Sequence, residues 1–93
     1  MGAVCVGQDE LEVAINHHKK SVEINPDYAE GYNNLGIAFQ KLGLFEEAVK
    51  NYKKTLKLKP DFSLAYNNLG VVLKSLNKLD EALLTSKKAI ELD

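Results

Sequence analysis

The sequence predicts an all-α protein, a solenoid of antiparallel helix-turn-helix units, and three observations carry that expectation. Tyr32-Asn33-Asn34-Leu35-Gly36 returns as Tyr66-Asn67-Asn68-Leu69-Gly70, a displacement of 34 residues. The same shift superposes Pro26 on Pro60, Asp27 on Asp61, Leu42 on Leu76, Glu47-Ala48 on Glu81-Ala82 and Lys53-Lys54 on Lys87-Lys88. Apolar residues within each period recur at three- and four-residue steps, which is the spacing of a helix stripe and not of a strand. A unit this short cannot bury its own apolar face, so the period implies stacking in series.

In the central unit, Tyr32, Leu35, Gly36, Phe39 and Leu42 form the stripe of a first helix, helix A. Asp27, with Glu30 three residues on, has the arrangement of a reciprocal cap for its first turn. Gly43 is placed to end it, because glycine enters the left-handed conformation freely; Asn77 holds the matching place one period later. A second stripe, Phe45, Ala48, Val49, Tyr52 and Leu56, defines helix B. Its acidic start and lysine-rich end suit the helix dipole, and Glu46 with Lys50 is expected as an i,i+4 pair. Pro26 and Pro60 then oppose continuation of the B helices. So short a connection within each unit makes its two helices antiparallel.

The following unit repeats the layout, with Tyr66, Leu69, Gly70 and Leu73 in helix A and Leu79, Ala82, Leu83, Ser86 and Ile90 in helix B. In the other direction, Leu11, Ala14, Ile15, His18 and Val22 align with helix B, Asp9 and Glu12 stand as its cap, and residues 1–6 read as the end of a preceding helix A. The expected organisation is a single array of about 2.5 repeats and five helices. It divides into a partial repeat at 1–26, a full one at 27–60, and one at 61–93 that lacks its closing proline.

These residues resemble the tetratricopeptide repeat (TPR) family. Its 34-residue unit has an aromatic, then Leu-Gly, a large residue, an alanine before a second large residue, and a closing proline. Here those are Tyr32, Leu35-Gly36, Phe39, Ala48, Tyr52 and Pro60, then Tyr66, Leu69-Gly70, Leu73 and Ala82. Thr55 and Ser21 depart from the family's alanine, which Ala89 keeps, and Ser86 departs from its large residue. The resemblance implies a right-handed solenoid that holds an extended peptide or a partner's helix along the inner face of the A helices. Opposite the packed stripe, that face carries Glu30, Asn33, Asn34, Ile37 and Lys41, then Leu64, Asn67, Asn68, Val71 and Ser75. An asparagine amide both donates and accepts, so Asn34 and Asn68 are expected to read a peptide backbone as rungs of a ladder. Such a ladder resembles that in the TPR arms of O-linked N-acetylglucosamine transferases; solvated surface asparagines are the alternative.

The family's chaperone-binding clamp for a terminal carboxylate is not expected. Leu64 and Asn68 stand where it uses lysine and arginine, and Ala3 replaces its first asparagine.

Composition narrows the remaining functions. The chain has 93 residues, 12 basic against 13 acidic side chains and a net charge of −1, with every basic residue a lysine. That balance predicts no bulk attraction to polyanions, and the arginine fork suited to phosphate is missing. Lys50, Lys53, Lys54 and Lys57 therefore read as a solvated outer face and not as a nucleic-acid patch. Cys5, aligned with Phe39, is the lone cysteine, which excludes an intrachain disulfide or a cysteine metal cluster and makes a reducing, cytoplasmic setting the default. No run approaches the roughly 18 apolar residues of a membrane span. The start lacks the basic segment of a secretion signal, and Val6 stands where Gly2 myristoylation needs serine or threonine. His17 and His18 are adjacent, hence about 100° apart on a helix, and do not form a metal pair; His18 falls on the packing position of Tyr52. With no catalytic, cofactor or metal motif, the expectation is a non-catalytic scaffold for a protein or peptide partner. Two alternatives stand beside it. One is self-association through Leu83, Leu84 and Ile90, which would lie uncovered if no further unit packs on them. The other is a substrate-recruiting region of a larger enzyme.

Overall fold

A computed structural model describes the backbone of residues 2–92 and the side chains of residues 10–91. It contains five helices, α1 (Gly2–Ile24), α2 (Ala29–Lys41), α3 (Phe45–Leu58), α4 (Ser63–Ser75) and α5 (Leu79–Leu92), and no strand among the described residues. Each helix packs against the next, and α2 also touches α4. Among the described residues α1 does not reach α3, nor α3 α5. The even-numbered helices are thus drawn together and the odd-numbered ones splayed, which curves the stack and puts α2 and α4 on its inner side.

The 34-residue shift holds for turn chemistry as well as for side chains. At the end of α2 the Leu44 N–H reaches the Phe39 carbonyl at 2.9 Å and the Gly43 N–H reaches Gln40 at 3.0 Å. At the end of α4 the Lys78 N–H reaches Leu73 at 2.8 Å and the Asn77 N–H reaches Lys74 at 2.9 Å. Both are Schellman closures, which need a left-handed residue just past the helix. Gly43 (φ 81°) and Asn77 (φ 64°) supply it, as expected. The turns between hairpins match too: Tyr28 N–H to Asn25 and Gly31 N–H to Tyr28 in one, Phe62 N–H to Lys59 and Ala65 N–H to Phe62 in the other. Both prolines follow a helix end, α1 stopping at Ile24 and α3 at Leu58.

Three local expectations are corrected. The Asp27–Glu30 cap is not made: the helix boundary falls at Tyr28, one residue past Asp27, and no side chain caps α2. In its first turn the Gly31 N–H is met by the Tyr28 carbonyl at 3.1 Å instead. Lys50 pairs with Glu47 at 3.5 Å and not with Glu46, an exposed contact of little energetic weight. Finally, α1 runs unbroken from Gly2 to Ile24, without a helix end at Val6 or a restart at Asp9 and Glu12. Asp9 aligns with Gly43 and Asn77 but lies within the helix, since aspartate turns left-handed less readily than glycine. The side chains of Ala3, Cys5 and Asp9 lie outside the described residues.

The core runs the length of the stack: Ile15 and Val22 from α1, Leu35, Ala38 and Phe39 from α2, Ala48 and Tyr52 from α3, Leu69, Val72 and Leu73 from α4, and Ala82 from α5. Thr55 is fully buried at the family's alanine position, its hydroxyl donating to the Asn51 carbonyl at 2.9 Å. That back-bond lets a polar atom occupy an apolar interface.

Candidate peptide-binding face

Because α2 and α4 approach each other, their facing residues meet across the gap between hairpins. Asn33 is buried there, 3% exposed, and accepts a hydrogen bond from the Asn68 amide at 3.4 Å. The structure therefore joins Asn33 of one hairpin to Asn68 of the next, whereas the sequence placed Asn34 and Asn68 as equivalent, independent rungs. Asn33 is not available to a partner. Asn68 is half-buried, and its bond uses one donor, leaving a carbonyl oxygen and a second N–H.

The other expected residues divide by exposure. Asn34 is half-buried, and Ile37 packs partly against the core. Glu30, Lys41, Asn67 and Ser75 are exposed, the Ser75 hydroxyl donating to the Val71 carbonyl at 3.3 Å. Leu64 and Val71 are large apolar residues left 52% and 53% exposed. The face combines the open apolar side chains of Leu64 and Val71 with the half-buried amides of Asn34 and Asn68.

Sequence reading missed two features. The Tyr52 hydroxyl donates to the Gln40 Oε1 at 2.7 Å, tying α3 to α2, and burial pushes the phenol above its ordinary pKa. Lys54, assigned to a solvated face, lies over the Tyr32 ring at 5.7 Å, and Lys19 over Phe39 at 5.9 Å. Such pairs join different helices, so no spacing within one helix announces them. The described residues hold no cluster of three metal-ligating side chains, His17 is exposed, and His18 is half-buried. No described helix is long and apolar enough to cross a membrane.

Hairpins stacked in register, with alternate helices lining one shared face, define an α-helical repeat protein. The chain belongs to the tetratricopeptide repeat family: models described as "Tetratricopeptide repeat" match residues 29–62 and 51–83, and one described as "TPR repeat" matches 2–43. Among solved structures it is similar to a crystal structure of MamA, with TM-score 0.87 and 33% identity over 90% of this chain and 49% of that one. A second MamA structure gives TM-score 0.85 and 33% identity over 90% and 46%. The second TPR of Spaghetti (RPAP3), bound to the HSP90 peptide SRMEEVD, gives 0.87 and 25% over 89% and 77%. The chain thus spans about half the length of the MamA structures it matches. Comparison with curated proteins finds no match.

Proposed function

We propose that this chain is a non-catalytic protein-interaction module that holds an extended peptide along α2 and α4. The observation that carries this reading is the pairing of exposed Leu64 and Val71 with the unspent amide capacity of Asn68 on one inner face. The peptide-bound Spaghetti domain, a protein of the same fold, supports it. The test is selection of peptides from a random displayed library on the immobilised chain, followed by titration calorimetry. Asn34→Ala and the pair Leu64→Ser/Val71→Ser should each weaken the selected peptide at least tenfold. Unchanged affinity in both would remove the groove. The peptide SRMEEVD serves as a contrast and should bind weakly, because the clamp positions hold Leu64 and Asn68 in place of cations.

Self-association is a second reading, favoured by α5, where Leu83, Leu84 and Ile90 are 69%, 70% and 77% exposed. Their counterparts on α3, Val49 and Leu56, are half-buried beside α4, and Lys50 stands in the register of Leu84. A second copy would cover α5 as α4 covers α3. Sedimentation across a hundredfold concentration range should show association that Leu84→Lys weakens. A monomer throughout would dismiss it.

A further inference from the structure

The two complete hairpins differ at one packing position in a way that leaves an aromatic-sized vacancy in the second. In α2–α3 the ring of Tyr52 is fully buried against Gly36, and its hydroxyl meets Gln40. One period on, Ser86 takes the place of Tyr52, Lys74 that of Gln40, and Gly70 that of Gly36. The glycine that makes room for a ring is kept while the ring is gone. Beside Ser86 lies an open pocket of about 370 Å³, lined by Lys74, Leu79, Ala82, Leu83 and Ser86. These are the 34-residue counterparts of Gln40, Phe45, Ala48, Val49 and Tyr52. A helical side chain leans back over the turn that precedes it, so a ring on residue 86 would fill this space.

We propose that this pocket is a socket for the tyrosine side chain of a partner, seated between α4 and α5 as Tyr52 is seated between α2 and α3. The internal repeat names the occupant, because the same chain fills the equivalent space with a phenol. The polar end selects further. Gln40 accepts from the Tyr52 hydroxyl, but Lys74 can only donate, so the guest must present an acceptor at the far end of its ring, as a phenol oxygen does. The space is ample, since an engineered apolar cavity of ~150 Å³ already holds benzene. None of the residues proposed for the α2–α4 face lines it, so this site stands independently of that groove.

The probe is 4-methylphenol, the tyrosine side chain alone, titrated into the isotope-labelled 93-residue chain and followed by amide chemical shifts. Saturable shifts at Gly70, Lys74, Ala82 and Leu83, with a midpoint on the order of 1 mM, are expected for so small a ligand. Ser86→Tyr should fill the socket from within, abolishing those shifts and raising the melting temperature on the order of 5 °C. Leu83→Lys, at an exposed position on the rim, should weaken the probe at least threefold whether or not Ser86→Tyr folds. Shifts that do not saturate at these residues, or that persist unchanged in both variants, overturn the proposal. So does a wild-type oligomer that Ser86→Tyr alone dissociates, which would make a second copy the occupant.

Discussion

Gly36 lies directly beneath the ring of Tyr52: a β-carbon on it would stand 2.5 Å from Cε1 and 2.7 Å from Cδ1. The equivalent carbon on Gly70 would meet the Ser86 hydroxyl at 3.0 Å and otherwise ordinary contacts. Conserving the glycine between units therefore conceals two different packing environments.

Gly36→Ala should be severely destabilising and Gly70→Ala mild. The Tyr52 ring is enclosed and tethered to Gln40, so it cannot yield, and overpacking of this kind costs about 1–3 kcal/mol. At position 70 a small hydroxyl can rotate away, and alanine in a helix gains up to about 1 kcal/mol over glycine. Urea midpoints of the two variants, compared at equal m, should separate by more than 1 kcal/mol on this scale. Equal losses would mean that the two hairpins pack alike.

Substitution at the helix exits should reverse sign between hairpins. Gly43 has φ 81° with nothing within 4 Å of an added β-carbon, so Gly43→Ala exposes backbone strain alone, about 1 kcal/mol. Asn77 bears a smaller strain at φ 64°, and Asn77→Gly should be neutral or modestly stabilising. Thermal denaturation checks both.

Alkaline pH should loosen the fold through Tyr52. Burial raises its pKa in the folded state above the ordinary 10.0, so the unfolded chain releases the proton first. Stability from this group is whole below pH 10 and falls by about 1.4 kcal/mol per pH unit above it, since the folded state then binds more protons than the unfolded. Tyr52→Phe should lose about 1 kcal/mol at neutral pH with the Gln40 bond, yet shed that part of the alkaline slope. Urea titrations at pH 9 and 11 on both proteins isolate the contribution of Tyr52 from that of every group the two proteins share.

Asn68→Ala should weaken folding even though residue 68 stands on the candidate binding face. It strands the buried Asn33 carbonyl, a loss of about 1–3 kcal/mol for an unsatisfied buried acceptor. Asn67→Ala, at the exposed neighbour, should be within about 0.5 kcal/mol of wild type. Hydrogen exchange on α2 and α4 should report the difference, and equal protection in both would show that the amide pair carries no weight.

The helix stripes, the Schellman exits at Gly43 and Asn77 and the prolines after α1 and α3 were all legible, because each depends on a residue's own backbone preference or on spacing along one helix. Periodicity added the stacking, since a repeated face with no partner inside its own unit must find one in the next. The cap at Asp27 misled for a local reason: the motif was present, but the helix began one residue later. Asn33 and Asn34 show the limit more sharply. They are the same residue in adjacent positions, yet the first is enclosed and bonded to Asn68 while the second is half-open, and only the approach of α2 to α4 distinguishes them.

From the sequence alone came the class of fold, the order of its helices and the side on which recognition is expected. What the tertiary structure decided was which amides remain free and where a missing ring leaves space beside Ser86. Both depend on distances between helices, and those are set by packing across the stack, which no pattern within a single helix records.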